Sequence, residues 1–260
     1  MSIPANDAPA TDGQFDTLFD CFVINLKRQP ERLHTFLTQN KASGIDFNRF
    51  EAIDGTEVGA ADVHDRIVAT GALNYTRGMI GNAMSHLAMW RRCAEQTKPF
   101  VVFEDDAVVS ADFKLQFSSL TRQVRDWDLI LLGYNTDVPL ELNIAPGIDY
   151  GGRFSVKFPT AKHLSDFAAS TYPVGLHRLV MAMGICGYAV TPKGAQILMR
   201  ACFPMDNRPV GFRSTNAVWP ACTLDAMMGT AYQRMSAFAC VAPLVMTAND
   251  HKSSTTLTAS

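Results

Sequence analysis

Pro99-Phe100-Val101-Val102-Phe103-Glu104-Asp105-Asp106 is the stretch on which the fold turns. Its apolar centre, β-branched and aromatic, has the composition of a buried strand. The strand ends in three consecutive carboxylates. Taking one unpaired carboxylate out of water costs several kcal/mol, so three at the mouth of a buried strand require something cationic. Alternate side chains of a strand share a face, which puts Glu104 and Asp106 together with Cα atoms about 6–7 Å apart. A divalent ion with its waters and a phosphate fits between them. Oxygen-only ligands select a hard cation, Mn²⁺ or Mg²⁺. The competing reading is a solvated turn that caps the next helix.

Working outward, Cys21-Phe22-Val23-Ile24-Asn25-Leu26 reads as the first strand, and Pro30 suits the first turn of the helix after it. Residues 46–53 alternate as a second strand, and Asp54-Gly55 signals a turn. A helix follows Gly78–Asn82, with Ala83, Met84, Leu87, Ala88 and Ala94 at helical spacing. Residues 112–125 predict another helix, and Trp127–Gly133 another buried strand. Gly187–Val190 is a short strand, and Thr191-Pro192 opens a helix. A helix near 224–234 and a strand near 237–246 complete the pattern. Strands alternating with helices predict one α/β domain with a mostly parallel central sheet flanked by helices. Ligands of such sheets lie at the carboxyl ends of strands, where the acidic triplet stands. Residues 134–180 hold many turn formers and little periodicity, which predicts a loop region that is functional, on the acceptor side, or mobile. The domain is expected over 19–251, with a disordered leader at 1–18 and a flexible tail at 252–260.

Bulk composition narrows the function classes. Of 260 residues, 47% are hydrophobic and 18% charged, enough for a large core and against general disorder. The formal net charge of −2 gives no electrostatic footprint for nucleic acid. None of the six cysteines has zinc-ribbon or thioredoxin spacing. Their apolar settings suit free thiols in a reducing cytosol. No apolar run reaches the roughly 18 residues of a membrane span. The N-terminus lacks the basic start and apolar centre of a signal peptide. The expected location is therefore cytoplasmic.

Several side chains carry two readings each. Arg28 and Arg32, four apart at a helix start, share a face and can hold a diphosphate; they can equally be solvated. Asp54 is placed to accept from a ribose hydroxyl, or belongs to an everyday turn. Ser85 and His86 are read in the first turn of a helix, where free N–H groups favour anions; the alternative is a core histidine. Asp225 lies in an apolar setting, where an acid needs a partner or a task. It is read as a general base or as a helix N-terminal acid, with Asp128 the next carboxylate in line. Arg153, Lys157, Lys162 and Arg178 bias the 134–180 region towards an anionic acceptor or a solvated face.

In order along the chain, Asn25-Leu26-Lys27-Arg28 with Arg32, Arg49–Gly55, Gly78–Leu87, Phe103–Asp106, Trp127–Gly133, Gly187–Val190 and Leu224-Asp225 resemble the blocks of glycosyltransferase family 25. The resemblance covers roughly residues 20–250. It implies a GT-A-like fold, a divalent metal and an inverting transfer from a UDP-sugar, with galactose or glucose the expected hexose. The acceptor it implies is a saccharide or glycolipid of cell-surface polysaccharide, lipooligosaccharide or lipopolysaccharide synthesis. Such work is expected at the inner face of the membrane, with peripheral association. On this resemblance Asn25, Arg28, Arg32, Asp54, Ser85, His86, Glu104 and Asp105 attend the nucleotide-sugar. Asp106, Glu104 and a late histidine, His251, attend the metal. Asn82 departs from the family, which often carries Cys there; Asn can cap the helix. Two other functions remain open: a metal-dependent nucleotidyl enzyme, which would want a Gly-rich phosphate loop after the first strand, and a non-catalytic sugar- or nucleotide-binding module.

Overall fold

The computed structural model describes residues 12–250. In chain order the elements are α1 (Asp12–Leu18), β1 (Asp20–Leu26), α2 (Pro30–Gln39), β2 (Asn48–Ala52), α3 (Ala60–Val63), α4 (Arg77–Ala94), β3 (Phe100–Glu104) and β4 (Val108–Val109). They continue with α5 (Phe113–Gln123), β5 (Leu129–Gly133), β6 (Leu140–Ala145), β7 (Ile148–Gly152), α6 (Ala161–Ala169), β8 (Gly175–Met181) and β9 (Gly187–Val190). The last are α7 (Pro192–Cys202), β10 (Pro209–Phe212), β11 (Ala217–Pro220), α8 (Leu224–Gly229), β12 (Ala237–Val241) and β13 (Val245–Met246).

Nine strands form one sheet in the order β2-β1-β3-β9-β5-β12-β8-β6-β7. Strand alternation divides the core into two layers. Phe22, Ile24, Phe100, Val102, Leu129, Leu131 and Tyr188 face a cluster that includes Leu87 and Trp90 of α4, Leu198 of α7 and Met227 of α8. Cys21, Val23, Val101, Phe103, Ile130 and Leu132 face the other, which includes Phe36 of α2 and Phe113 and Phe117 of α5. Helices on both faces of a sheet whose central strands are buried make this an α/β domain consistent with a GT-A-like fold.

The sheet is mixed. β1 runs parallel to β2 and β3, and β5 parallel to β12. β9 enters antiparallel between β3 and β5, and β8, β6 and β7 add antiparallel pairings beyond β12. The parallel order expected from the sequence thus holds within these two groups. The carboxyl ends of β1, β3 and β5 point the same way, because two antiparallel steps through β9 restore the direction.

Three expectations change. The segment Asp12–Leu18, read as leader, is a helix, and its Phe15 is buried edge-on against Phe113 and Phe117. Residues 134–180, read as loop, carry β6, β7, α6 and β8, three of them strands of the main sheet. The region expected as one helix over 224–234 is α8 to Gly229, then a single 3₁₀ turn at Tyr232–Arg234. His251 and the tail lie outside the described residues.

Among the described residues no helix is long and apolar enough to cross a membrane. Five cysteines are buried and Cys222 is partly buried, all as free thiols. Burial pushes those of Cys21, Cys186, Cys202 and Cys240 well up, away from the thiolate.

Candidate active site

Backbone packing first sets the site's walls. Thr76 caps α4, its Oγ accepting from the Met79 N–H at 3.1 Å. Its first turns lie directly on the turn after β2. A Cβ on Gly55 would collide with the Arg77 carbonyl, and one on Gly81 would stand 2.6 Å from both the Gly55 nitrogen and the Ile53 oxygen. Two glycines therefore let a helix end and a strand end touch through backbone. The β1–α2 corner and the end of β3 complete a cleft, lined among others by Arg28, Arg32, Asp54, Gly78, Asn82, Glu104, Asp105 and Asp106.

A second cleft opens on the other side of the acidic corner. It is lined by Met79, Asn135, Gly184, Ile185, Cys186, Thr223, Leu224, Asp225, Thr247, Asn249 and Asp250, and shares Asn82, Glu104 and Asp106 with the first. Asp105 lines only the first. Glu104 and Asp106 thus form a common wall, but not through strand alternation: β3 ends at Glu104, and Asp105 and Asp106 lie in the turn that follows.

The three carboxylates have different tasks. Asp105 is held internally. Asn25 donates to its Oδ2 at 2.7 Å, and Arg32 donates to its Oδ1 from Nε at 2.8 Å and again from Nη2. Arg32 also lies 3.8 Å from Asp106. Burial works against the Arg32 charge, but the bonds to Asp105 and the neighbouring carboxylates keep its pKa above the ordinary value. At Glu104 burial likewise opposes ionisation. The adjoining His86 ring, the Asn82 donor and the Arg32 charge outweigh it and hold the carboxyl below the usual range. Asp106 goes the other way. Its surroundings desolvate it and Glu104 repels its charge, so its pKa rises to about 7 despite Arg32. Its side chain remains 46% accessible, so the group still opens to the cleft.

Among the described residues no group of three or more His, Cys, Asp or Glu side chains could hold a metal ion unaided. What the corner offers is two hard carboxylates, with burial and then the Glu104 charge raising Asp106. That fits a divalent ion taking its other ligands from phosphate oxygens and water, as Mg²⁺ commonly does.

Elsewhere the sequence expectations fare unevenly. Arg28 pairs with Asp54 at the rim of the first cleft, and Asp54 also accepts from the Thr56 hydroxyl at 2.7 Å and its N–H at 3.1 Å. The Arg28 bond, then Thr56, holds the Asp54 carboxyl below its ordinary range. Ser85 and His86 are not in a first turn. They lie two turns inside α4, fully buried, where backbone N–H groups are already bonded along the helix. Ser85 supports the wall by donating to Gly81 O at 2.7 Å and accepting from Ile53 N at 2.8 Å. His86 bonds Tyr188 and abuts Glu104. Asn82, expected at a cap, is inside α4 and donates to Glu104 at 3.1 Å. Asp225 is at the start of α8, where it accepts the Gly184 N–H at 2.7 Å. Gly184 has φ +87°, and a Cβ there would collide with the Asn135 amide. Asp128 is buried at the start of β5, the opposite end of the sheet from the triplet, and bonds Lys193 and the Ser236 N–H. It is structural, not a reserve base.

The profile described as "Glycosyltransferase family 25 (LPS biosynthesis protein)" matches residues 19–208, which is most of the chain. The chain belongs to glycosyltransferase family 25. Among curated relatives, the "Probable inactive glycosyltransferase 25 family member 3" of Bos taurus is 27% identical over 146 residues, 50% of this chain and 24% of that protein. A "Glycosyltransferase 25 family member" of Drosophila pseudoobscura pseudoobscura is 30% identical over 129 residues, 45% of this chain and 21% of its own. "Procollagen galactosyltransferase 2" of Mus musculus is 26% identical over 127 residues, 44% of this chain and 20% of its own. The matches span about a quarter or less of these relatives. The family holds relatives named as galactosyltransferases and others described as inactive.

Proposed function

We propose that the chain is a metal-dependent inverting glycosyltransferase that moves a hexose from a UDP-sugar to a hydroxyl of a saccharide acceptor in cell-surface polysaccharide or lipooligosaccharide assembly. One observation carries the reading: Glu104 and Asp106 are the common wall of two clefts. A leaving diphosphate in the first cleft and an attacking hydroxyl in the second would meet at that wall. The procollagen galactosyltransferase names among the relatives favour galactose as the hexose. The family's description as an LPS biosynthesis protein favours a lipid-linked saccharide acceptor at the inner face of the membrane.

Bound between Asp106 and Glu104, Mn²⁺ or Mg²⁺ would supply charge neutralisation for the diphosphate as the glycosidic bond breaks. The chain's own groups do the rest. Arg28 reaches the nucleotide from the rim, and Asp54 accepts from a ribose hydroxyl in exchange for Thr56. Arg32 and Asn25 clamp Asp105, so that the corner keeps its shape as charge develops. Asp225 takes the proton from the acceptor hydroxyl at one carboxylate oxygen while Gly184 and its own helix hold the carboxylate in place.

A non-catalytic sugar-nucleotide-binding module is the second reading, favoured by the relatives described as inactive. Mn²⁺-dependent nucleotide release from a panel of UDP- and GDP-sugars separates the two. Turnover with a UDP-hexose is expected. Asp106→Asn, which keeps size and removes a charge, is expected to abolish it in a chain that still folds by circular dichroism. Near-normal turnover in folded Asp106→Asn would sink the metal assignment, and UDP binding without turnover in wild type would favour the module.

A further inference from the structure

We infer that His86 is a positioning residue whose Nε2–H bonds Oε1 of Glu104 in the loaded site and leaves Oε2 for the cation. Its purpose rests on the metal-dependent reading above; its geometry does not. The indole N–H of Trp90 can only donate. It donates to the Tyr188 hydroxyl at 2.9 Å. The Tyr188 oxygen also stands 2.8 Å from His86 Nδ1. All three rings are wholly buried. Having accepted from Trp90, the hydroxyl has its own proton to place, and His86 Nδ1 is the acceptor at hand. A neutral imidazole with Nδ1 accepting carries its hydrogen on Nε2.

That nitrogen is buried, has no hydrogen-bond partner, and lies 3.7 Å from Glu104 Oε1. The opposite tautomer would set a bare lone pair against a carboxylate, which is repulsive. Asn82, one helical turn before His86, donates to the same Oε1 at 3.1 Å. Two donors from one face of α4 therefore converge on one oxygen of Glu104. At 3.7 Å the His86 nitrogen stands too far from Oε1 for a hydrogen bond here, and contacts of this kind often tighten only when the site is loaded. The Trp90–Tyr188–His86 chain fixes which way the carboxylate turns, and so which oxygen meets the cleft.

Two measurements on the full chain test this. ¹⁵N imidazole spectra of wild type, with His86 assigned by its absence from His86→Gln, should show the neutral Nε2–H form; Tyr188→Phe, which removes one hydroxyl, should shift it towards a mixture. Manganese electron paramagnetic resonance gives the Mn²⁺ affinity in the presence of UDP. His86→Leu should weaken it about tenfold or more, and His86→Gln, whose amide N–H sits where Nε2–H does, should restore most of that loss. An Nδ1–H signal in wild type, or equal weakening by His86→Leu and His86→Gln, overturns the inference. Unchanged Mn²⁺ affinity in folded His86→Leu does so as well. No Mn²⁺ binding by wild type overturns the metal reading instead, and the nitrogen spectrum then decides the hydrogen bond alone.

Discussion

At the scale of single residues, Arg28 and Arg32 look alike in the sequence and differ in the structure. The side chain of Arg32 is 29% accessible and serves Asp105, itself 11% accessible; that of Arg28 is 55% accessible at a rim. Removing a charged donor from a buried carboxylate costs about 1.5–3 kcal/mol, whereas exposed pairs contribute about 0–1 kcal/mol. Arg32→Ala is therefore expected to lower stability by that larger amount in urea unfolding. Arg28→Ala should leave stability nearly unchanged while weakening UDP binding about tenfold by calorimetry. Equal stability losses would mean that Asp105 does not depend on Arg32. Asp106 supplies a pH test. Its folded pKa of about 7 exceeds its unfolded value of about 4. The folded chain keeps a proton there that the unfolded chain releases, so this group favours the fold below about pH 4 and loses that contribution as pH rises through about 7. Mn²⁺ needs the ionised form, so its affinity should rise over the same interval. Mn²⁺ titrations giving one affinity at about pH 5.5 and pH 8 would contradict this. The triplet was legible in the sequence because composition acts locally. The Asn82 and Tyr188 contacts were not, since each joins residues brought together only by the fold, 22 apart for Asn82–Glu104 and 102 apart for His86–Tyr188.

At the scale of elements, legibility followed burial. β3 and β5 are apolar runs and were read nearly to the residue, as was the start of α7, where Thr191 caps the Gly194 N–H at 3.0 Å. β7 is an exposed edge strand and β8 is only half buried, so neither shows the pattern by which strands are recognised. Register with β12 and β6 places β8, and no local signal encodes that register. The start of α4 was obscured by its glycines at 78 and 81, which read as loop formers but permit the helix to lie on the β2 turn. Gly81→Ala tests that close approach. A better helix former in the helix interior would ordinarily stabilise by up to about 1 kcal/mol. Here its Cβ meets two backbone atoms at 2.6 Å that belong to another element. Overpacking should win, with a net loss of about 1–3 kcal/mol and weaker UDP binding as the cleft wall shifts. A stabilised Gly81→Ala chain would show that α4 and the turn separate freely.

At the scale of the whole molecule, the α/β class followed from the alternation of strands and helices, while the mixed sheet order did not, because pairing direction is a long-range property. Nor did the second cleft. Its walls come from Met79, Asn135, Gly184–Cys186, Thr223–Asp225 and Thr247–Asp250, segments scattered over most of the chain. This division of the site is what a two-substrate transfer needs, and it assigns distinct kinetic consequences to its two sides. Asp225 lines the second cleft and not the first. Its substitution should therefore spare the nucleotide. General-base catalysis contributes about 10²–10⁴-fold, so Asp225→Asn is expected to lower kcat by that factor, with UDP affinity within about twofold of wild type. Asn can still accept the Gly184 N–H through its amide oxygen, so the backbone at Gly184 keeps its partner and the variant should fold. A rise in acceptor KM with kcat preserved would make Asp225 a holder of the acceptor sugar. A drop in melting temperature with both constants preserved would make it only the first-turn acid of α8, and the base would then be another carboxylate of the second cleft.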